Sequence, residues 1–471
     1  MALDLFKFAQ DKVPAYQKFL SEKNILASDI KNINDFKKLP PVDKHSYVNA
    51  FPYEELLLNQ DISKITTFSS TSGSTGEPTY FPRGEEQDWQ YEHIVELFLK
   101  NQFEIDNKKT LGVIGFGLGI WIGGIFTYKN FNNIARKGYP LALAPVGTNK
   151  DIFLKTIKKV GSSFDQIILM GYPPFIKDVI DEAGDYGINW SDYSIKVMTA
   201  TESFSEQFRE YIARKAKIKN PLTDILNIYG SVELGTMAHE TPMANFIRGM
   251  AVKNKKIFKE IFPEAILLPT LAQYHPHLTY FEEENGELFA SGFASSFPLI
   301  RYRFFDKGTV IPFDTMVSKL NSVGIDIIKE AEKANIEKTI LKLPFVCVYE
   351  RSDFVVVLRG ANIYPENIKT ALQDKGLEKF VTGKFTMIKK EDKKLNDFLE
   401  INVELKRNVE SNGDLKKRIE KIVINTLRKI NSEFNYLYTL EGNKLTPNMI
   451  LYSHGHPKYF GVSIKQKWVK K

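Results

Sequence analysis

The sequence predicts an α/β protein in which a large N-terminal α/β domain with several subdomains precedes a small α+β C-terminal domain. Three observations predict it. Short apolar runs alternate with helix-period patterns, 471 residues exceed one typical core, and the charge balance changes sign near residue 354. The runs are Ile167-Ile168-Leu169-Met170, Ile195-Lys196-Val197-Met198 and Ile225-Leu226-Asn227-Ile228, with residues 205–217 reading as a helix between the last two. Strands connected through helices pair in parallel, and ligands of such sheets bind beyond the carboxyl ends of the strands.

Taken in order, residues 111–126 are sixteen without a charge and include six glycines. That is short for a membrane span, so the segment is expected to be a buried strand followed by a close-packed loop. Gly115-Phe116-Gly117-Leu118-Gly119 misplaces the third glycine of the dinucleotide fingerprint, which disfavours a Rossmann dehydrogenase. Residues 314–342 read as one or two helices and residues 345–349 as a strand. The domain boundary is expected at residues 351–353, giving domains of 1–350 and 354–471. In the second domain a β-rich run at 354–358, a helix opening near Glu366, alternation at 398–405 and a long helix at 415–430 indicate small α+β.

Composition bounds the function. A hydrophobic fraction of 43%, with 34 Phe and 21 Tyr, belongs to a folded globular protein. The single cysteine, Cys347, excludes an intramolecular disulfide and a cysteine metal cluster, which suits a reducing cytoplasm. Charges near the N-terminus interrupt the apolar region a signal peptide needs, so a cytoplasmic protein is expected. From Phe354 onward 23 Lys/Arg face 13 Asp/Glu, against 41 and 44 before it. Such an excess is either a solvated lysine face or an attractor of polyanions. No helix-turn-helix, zinc-finger spacing or RNP-type motif accompanies it, so a phosphorylated cosubstrate or an acidic protein partner is favoured over nucleic acid.

Four short segments are candidates for chemistry. Residues 71–78, Thr-Ser-Gly-Ser-Thr-Gly-Glu-Pro, alternate hydroxyls with glycines, so backbone N–H and side-chain O–H groups can surround a phosphate chain. The same composition also makes a solvated turn. Gly73 and Gly76 are wrongly spaced for a Walker A loop, and Gly76 precedes Glu77 where lysine is needed, which excludes a P-loop NTPase. In Asn227-Ile228-Tyr229-Gly230-Ser231-Val232-Glu233 a strand end runs into a glycine turn; the tyrosine can stack on a purine and Glu233 can hold Mg²⁺. A surface turn is the alternative. Asp306, after Arg301-Tyr302-Arg303-Phe304-Phe305, is either a ribose-binding carboxylate or part of a salt-bridged strand end. Lys465 and Lys467 lie in a loop-like tail.

Together with Arg351-x-Asp353 and residues 359–365, Arg-Gly-Ala-Asn-Ile-Tyr-Pro, the series from about residue 66 onward resembles the adenylate-forming enzymes. These include acyl-CoA synthetases, peptide-synthetase adenylation domains and luciferase. Residues 297–303 and 360–366 resemble the phenylacetate-CoA ligase branch most. The resemblance implies ATP-dependent activation of a carboxylic acid to an acyl-adenylate, with acyl transfer to the thiol of CoA or of a carrier-protein phosphopantetheine. An amine acceptor, or a non-catalytic nucleotide- or acyl-binding relative, are the alternatives. It further implies that Thr71, Ser72, Gly73, Ser74 and Thr75 hold the ATP phosphates, that Asn227 and Tyr229, with Gly230 and Ser231, bind the adenylate, and that Glu233 ligates Mg²⁺. Asp306 would grip the ribose, assisted by Arg351. Asp353 would be the hinge of a mobile lid, Lys465 the adenylation lysine, and Gly360 and Asn362 part of the acyl-transfer loop.

The sequence departs from that pattern in places. Val232 stands where a threonine is usual, and Phe304-Phe305 replaces Thr-Gly before Asp306. The adenine-side loop is Ala200-Thr201-Glu202 instead of a glycine-rich form, and Lys465 is preferred over Lys467 only by its register before Trp468. The acid itself is not legible.

Overall fold

The computed structural model describes residues 1–70, 79–120, 122–200, 203–265, 268–294, 297–351, 356–358, 361–391, 397–431, 434–435, 438–439, 442–461 and 468–470. The chain divides into two compact units, one of residues 1–203 and 212–350, the other of residues 204–211 and 351–471.

The first unit begins with helices Ala2–Lys12 and Pro14–Glu22 and a short hairpin, β1 (Thr67–Ser70) with β2 (Tyr80–Arg83). Its centre is an 11-stranded sheet. The strands are β3 (Thr110–Ile114), β4 (Leu141–Pro145), β5 (Gln166–Gly171), β6 (Ile195–Ala200), β7 (Ile225–Ser231), β8 (Gly235–His239), β9 (Thr270–Gln273), β10 (Thr279–Glu284), β11 (Glu287–Ala294), β12 (Phe297–Ile311) and β13 (Phe345–Arg351). They run in the order β10-β11-β12-β13-β9-β8-β7-β6-β5-β3-β4. The expected parallel pairing holds for β4-β3-β5-β6-β7, whereas β7-β8-β9-β13 and β10-β11-β12 pair antiparallel. Buried on both faces, β3 and β5 need continuous apolar runs, which made them legible. Because β4 and β5 flank β3 on opposite sides, the chain switches direction there, and its carboxyl edge is where a ligand crevice opens.

Residues 111–126 correct one expectation. After the buried strand the chain does not stay a loop but turns into helix Ile122–Arg136. Glycine makes that turn close: a Cβ on Gly124 would lie 2.2 Å from the Gly117 carbonyl oxygen. Residues 314–342 contain two helices, Phe313–Ser322 and Ile327–Lys333.

The N-terminal helices pack against β11 and β12 through one apolar cluster including Phe6, Tyr16, Phe19, Phe36, Val42 and Tyr47 with Phe281, Leu288, Tyr302 and Phe304. Val42 forms a parallel bridge with Tyr302: its N–H donates to the Arg301 carbonyl at 3.2 Å, and the Arg303 N–H donates to the Val42 carbonyl at 2.9 Å. The N-terminal segment is thus bound by backbone as well as by apolar burial.

In the second unit, β14 (Val356–Leu358) pairs with β15 (Ala361–Ile363), and β16 (Val381–Glu391), β17 (Asp397–Leu405), β18 (Asn448–Tyr452) and β19 (Val469–Lys470) form a sheet in the order β18-β17-β16-β19. Helices Pro365–Leu372 and Gly413–Ile430 cover it. The longer helix buries Leu415, Ile419, Val423 and Leu427, a four-residue spacing that puts one stripe into the core while its lysines stay outward. Among the described residues no helix is long and apolar enough to cross a membrane.

Candidate active site

The carboxyl end of β7, its following turn and β12 bring together two of the sequence motifs. β7 carries Asn227 to Ser231, and a tight turn leads through Glu233 into β8. Gly230 is needed in that turn, since a Cβ there would lie 2.4 Å from the Gly235 carbonyl oxygen. Asn227 is fixed on two sides. Thr199 Oγ donates to its Oδ1 at 2.9 Å, its backbone N–H donates to Glu240 Oε2 at 2.9 Å, and the Glu240 N–H returns a bond to its carbonyl at 2.8 Å. Arg248 Nη1 lies 2.6 Å from Glu240 Oε1, so this buried carboxylate is paired and hydrogen-bonded, the condition under which a buried charge is tolerated.

Tyr229 joins the second motif. Its ring stacks on Phe281 at 6.2 Å between centroids and meets Phe304 edge-on at 6.4 Å, while its hydroxyl donates to Asp306 Oδ2 at 2.6 Å. A bond this short to a carboxylate is a strong orienting contact. β12 reaches Asp306 with left-handed backbone at Arg301 (φ 47°) and Phe305 (φ 60°), costly for residues with a Cβ. Arg301 is held in that geometry by Glu282, Glu284 and the carbonyls of Lys37 and Leu39. The sequence is compatible with either a salt-bridged strand end or a ribose-binding carboxylate here. Arg301 forms the former, and Asp306 is placed beside Tyr229.

Glu233 is buried, with 6% of its surface exposed. Burial pushes its carboxyl up, but the ammonium of Lys44, 2.8 Å from Oε1, together with hydrogen bonds including that of Ser231, outweighs it and leaves the group below the usual carboxylate range. Tyr302 Oη donates to the same oxygen at 3.2 Å. A buried, ionised oxygen donor is the type Mg²⁺ takes when phosphates complete its shell. Among the described residues no group of three or more His, Cys, Asp and Glu could hold a metal alone.

Two contributors escaped sequence reasoning. Arg83, fully buried at the end of β2, donates from Nε to Ser69 Oγ at 3.1 Å, from Nη1 to Gln87 Oε1 at 2.7 Å, and from Nη2 to the Val232 carbonyl. Burial lowers its pKa to about 10, against the opposing pull of Glu233 and Asp88, and it stays charged at neutral pH. The guanidinium ties the hairpin that flanks residues 71–78 to the 227–233 turn, and the Ser70 N–H donates to the Ile120 carbonyl at 3.0 Å, on the loop after β3. Lys44, the other, comes from the N-terminal segment that no motif covers. An arginine following the hydroxyl-glycine run was a readable signal; Lys44 had none. Val232 itself packs against the N-terminal apolar cluster, an environment that suits valine better than a hydroxyl.

Thr71, Ser72, Gly73, Ser74, Thr75, Asp353, Gly360 and Lys465 lie outside the described residues, as do the side chains of Arg351 and Asn362. Arg351 ends β13 and Asn362 lies in β15. Gly230, Ser231, Asn227, Tyr229, Glu233 and Asp306 are brought together by β7, its turn and β12.

No family model and no curated protein matches the chain in sequence. Solved structures do match it. A 2-hydroxyisobutyryl-CoA ligase in the postadenylation state, in complex with its acyl-AMP R3-HIB-AMP, aligns at TM-score 0.66 and 14% identity over 100% of this chain and 87% of that one. The ligase in complex with 2-HIB-AMP and CoA, in the thioesterification state, aligns at 0.55 and 15% over the same shares. An anthranilate CoA ligase in complex with anthranoyl-AMP aligns at 0.52 and 10%, over 86% of this chain and 66% of that one. The chain has the fold of these CoA ligases.

Proposed function

We propose that the protein is an ATP-dependent acid-activating ligase. A carboxylate attacks the α-phosphate of ATP and pyrophosphate leaves; the thiol of CoA or of a carrier-bound phosphopantetheine then attacks the acyl-adenylate carbonyl, and AMP leaves as the thioester forms. The observation that carries this reading is the convergence of Asn227, Tyr229, Glu233 and Asp306 at one edge of the sheet. The fold shared with CoA ligases supports it.

Each residue has a task in that chemistry. Tyr229 offers its ring to the adenine, Asp306 accepts from the ribose hydroxyls, and Asn227 is held rigidly beside them by Thr199 and Glu240. Two anions must meet, so positive charge and positioning lower the barrier most. Glu233 would hold Mg²⁺, which when bound shields the phosphates. Thr71 to Thr75 would cradle the departing pyrophosphate, Arg351 would assist at the ribose, and Lys465 would stabilise charge at the α-phosphate. Rotation at Asp353 would then exchange Lys465 for the Gly360 and Asn362 loop before the thiol attacks. Within the enzyme class the phenylacetate-CoA ligase-like branch remains part of this proposal, on the motif resemblance alone. The proposed setting is the cytoplasm.

Acid-dependent exchange of labelled pyrophosphate into ATP tests the reading, across aromatic, fatty and small carboxylic acids. Exchange with at least one acid is expected. Its absence across the panel, with folded protein, would sink the proposal, and product mass with CoA, carrier protein and amines separates the acceptors.

A further inference from the structure

Lys44 occupies the coordination space of the carboxylate that the motif reading gives to a metal. Its ammonium lies 2.8 Å from Glu233 Oε1, against a carboxylate only 7% exposed. This contact is built rather than incidental. Lys44 opens a short helical turn, Lys44–Val48, whose first residues are capped by Asp43: the N–H groups of His45 and Ser46 donate to Asp43 Oδ1 at 2.8 and 2.7 Å, and Ser46 Oγ accepts from the Asp43 N–H at 3.2 Å. Val42, two residues before Lys44, is bridged to Tyr302, whose hydroxyl donates to the same oxygen of Glu233. The strand that presents Tyr302 to Glu233 therefore also sets where Lys44 stands.

We propose that Lys44 is a resident cation that competes with the divalent metal for Glu233. A buried carboxylate left alone is costly, and one paired ammonium satisfies it. A divalent ion approaching the same oxygen meets the ammonium's charge, so the nucleotide-free protein binds metal weakly. Lys44 is 37% exposed, and a polyphosphate chain entering with its own metal offers the ammonium another anion. The metal is accordingly expected to enter with the nucleotide rather than before it. This inference rests on the acid-activating reading for the identity of the metal site.

The test is Mn²⁺ binding without nucleotide, followed by the electron paramagnetic resonance of free Mn²⁺, in wild-type protein, Lys44→Met, Lys44→Arg and Lys44→Met/Glu233→Gln. Lys44→Met is expected to bind Mn²⁺ about tenfold more tightly than wild type, the arginine variant to stay near wild type, and the double variant to lose the gain. A gain below threefold in folded Lys44→Met, or a gain that survives Glu233→Gln, overturns the proposal. Near-ultraviolet circular dichroism establishes folding of each variant. Pyrophosphate exchange by the wild type is scored separately. Exchange alongside unaltered Mn²⁺ affinity in Lys44→Met discards the role of Lys44 alone; a gain without exchange upholds the competition and removes the nucleotide chemistry.

Discussion

At the scale of single residues, two motifs are linked by the 2.6 Å bond from Tyr229 to Asp306, side chains 77 positions apart. The hydroxyl fixes one carboxylate oxygen, so the group proposed to meet the ribose is held in one orientation instead of several. Hydrogen bonds to a charged group contribute about 1.5–3 kcal/mol. Tyr229→Phe keeps the ring and removes only this bond, and KM for ATP in the exchange assay is expected to rise about tenfold, with kcat changed less. The sign of the effect is informative. If the hydroxyl merely blocks Asp306, the phenylalanine variant will bind ATP more tightly, and an unchanged or lower KM rejects the orienting role.

At the scale of elements, one guanidinium connects the β1-β2 hairpin to the turn after β7. Arg83→Gln would leave the part-buried Val232 carbonyl and the buried Ser69 hydroxyl without their donor, at a cost of about 1–3 kcal/mol for each polar group left unsatisfied. Urea denaturation is expected to report that loss together with a large fall in exchange rate. Arg83→Lys should not restore either, because one ammonium cannot reach three divergent acceptors. A lysine variant with wild-type stability would refute this. These elements also mark what the sequence could and could not reveal. β5, β6 and β7 were legible as short apolar runs because burial on both faces leaves little freedom of composition. Helix Ile122–Arg136 was hidden because the glycines of its first turn, which permit contact with Gly117, argue locally for a loop. Asn227, Tyr229, Glu233 and Asp306 were legible as candidates because their residue types carry chemistry in a fixed order. Lys44 was not: its meaning depends on Glu233, far along the chain, and arises only when Val42 pairs with Tyr302.

At the scale of the whole molecule, acid stability is expected to depend on a histidine that the proposed chemistry does not use. His239 closes β8, is 1% exposed, and lies beside Phe98 at 5.2 Å. Its Nδ1 is 2.8 Å from the Glu240 carbonyl, so in the neutral ring that nitrogen carries the proton. Burial lowers its pKa from 6.5 to about 4, with the hydrogen bond to Glu240 opposing and His275 adding to the shift. In the unfolded chain the ring ionises near its ordinary value. Between about pH 6.5 and pH 4 the unfolded state therefore holds more protons, and unfolding becomes easier as pH falls. The stabilisation is complete above pH 6.5 and is lost as pH drops through about 4, an effect of about 3 kcal/mol at most. Paired carboxylates titrate over part of the same range, so wild type alone cannot isolate it. His239→Asn can, because asparagine still donates to the Glu240 carbonyl but does not ionise. Tryptophan fluorescence follows unfolding of the first unit through Trp190, buried in its interior. The stability advantage of wild type over His239→Asn in urea is expected to be largest at pH 7.5 and to shrink by about 2–3 kcal/mol at pH 4.5. An advantage that is equal at the two pH values would show that the ring is not held neutral by the fold, and would remove His239 as a source of acid sensitivity.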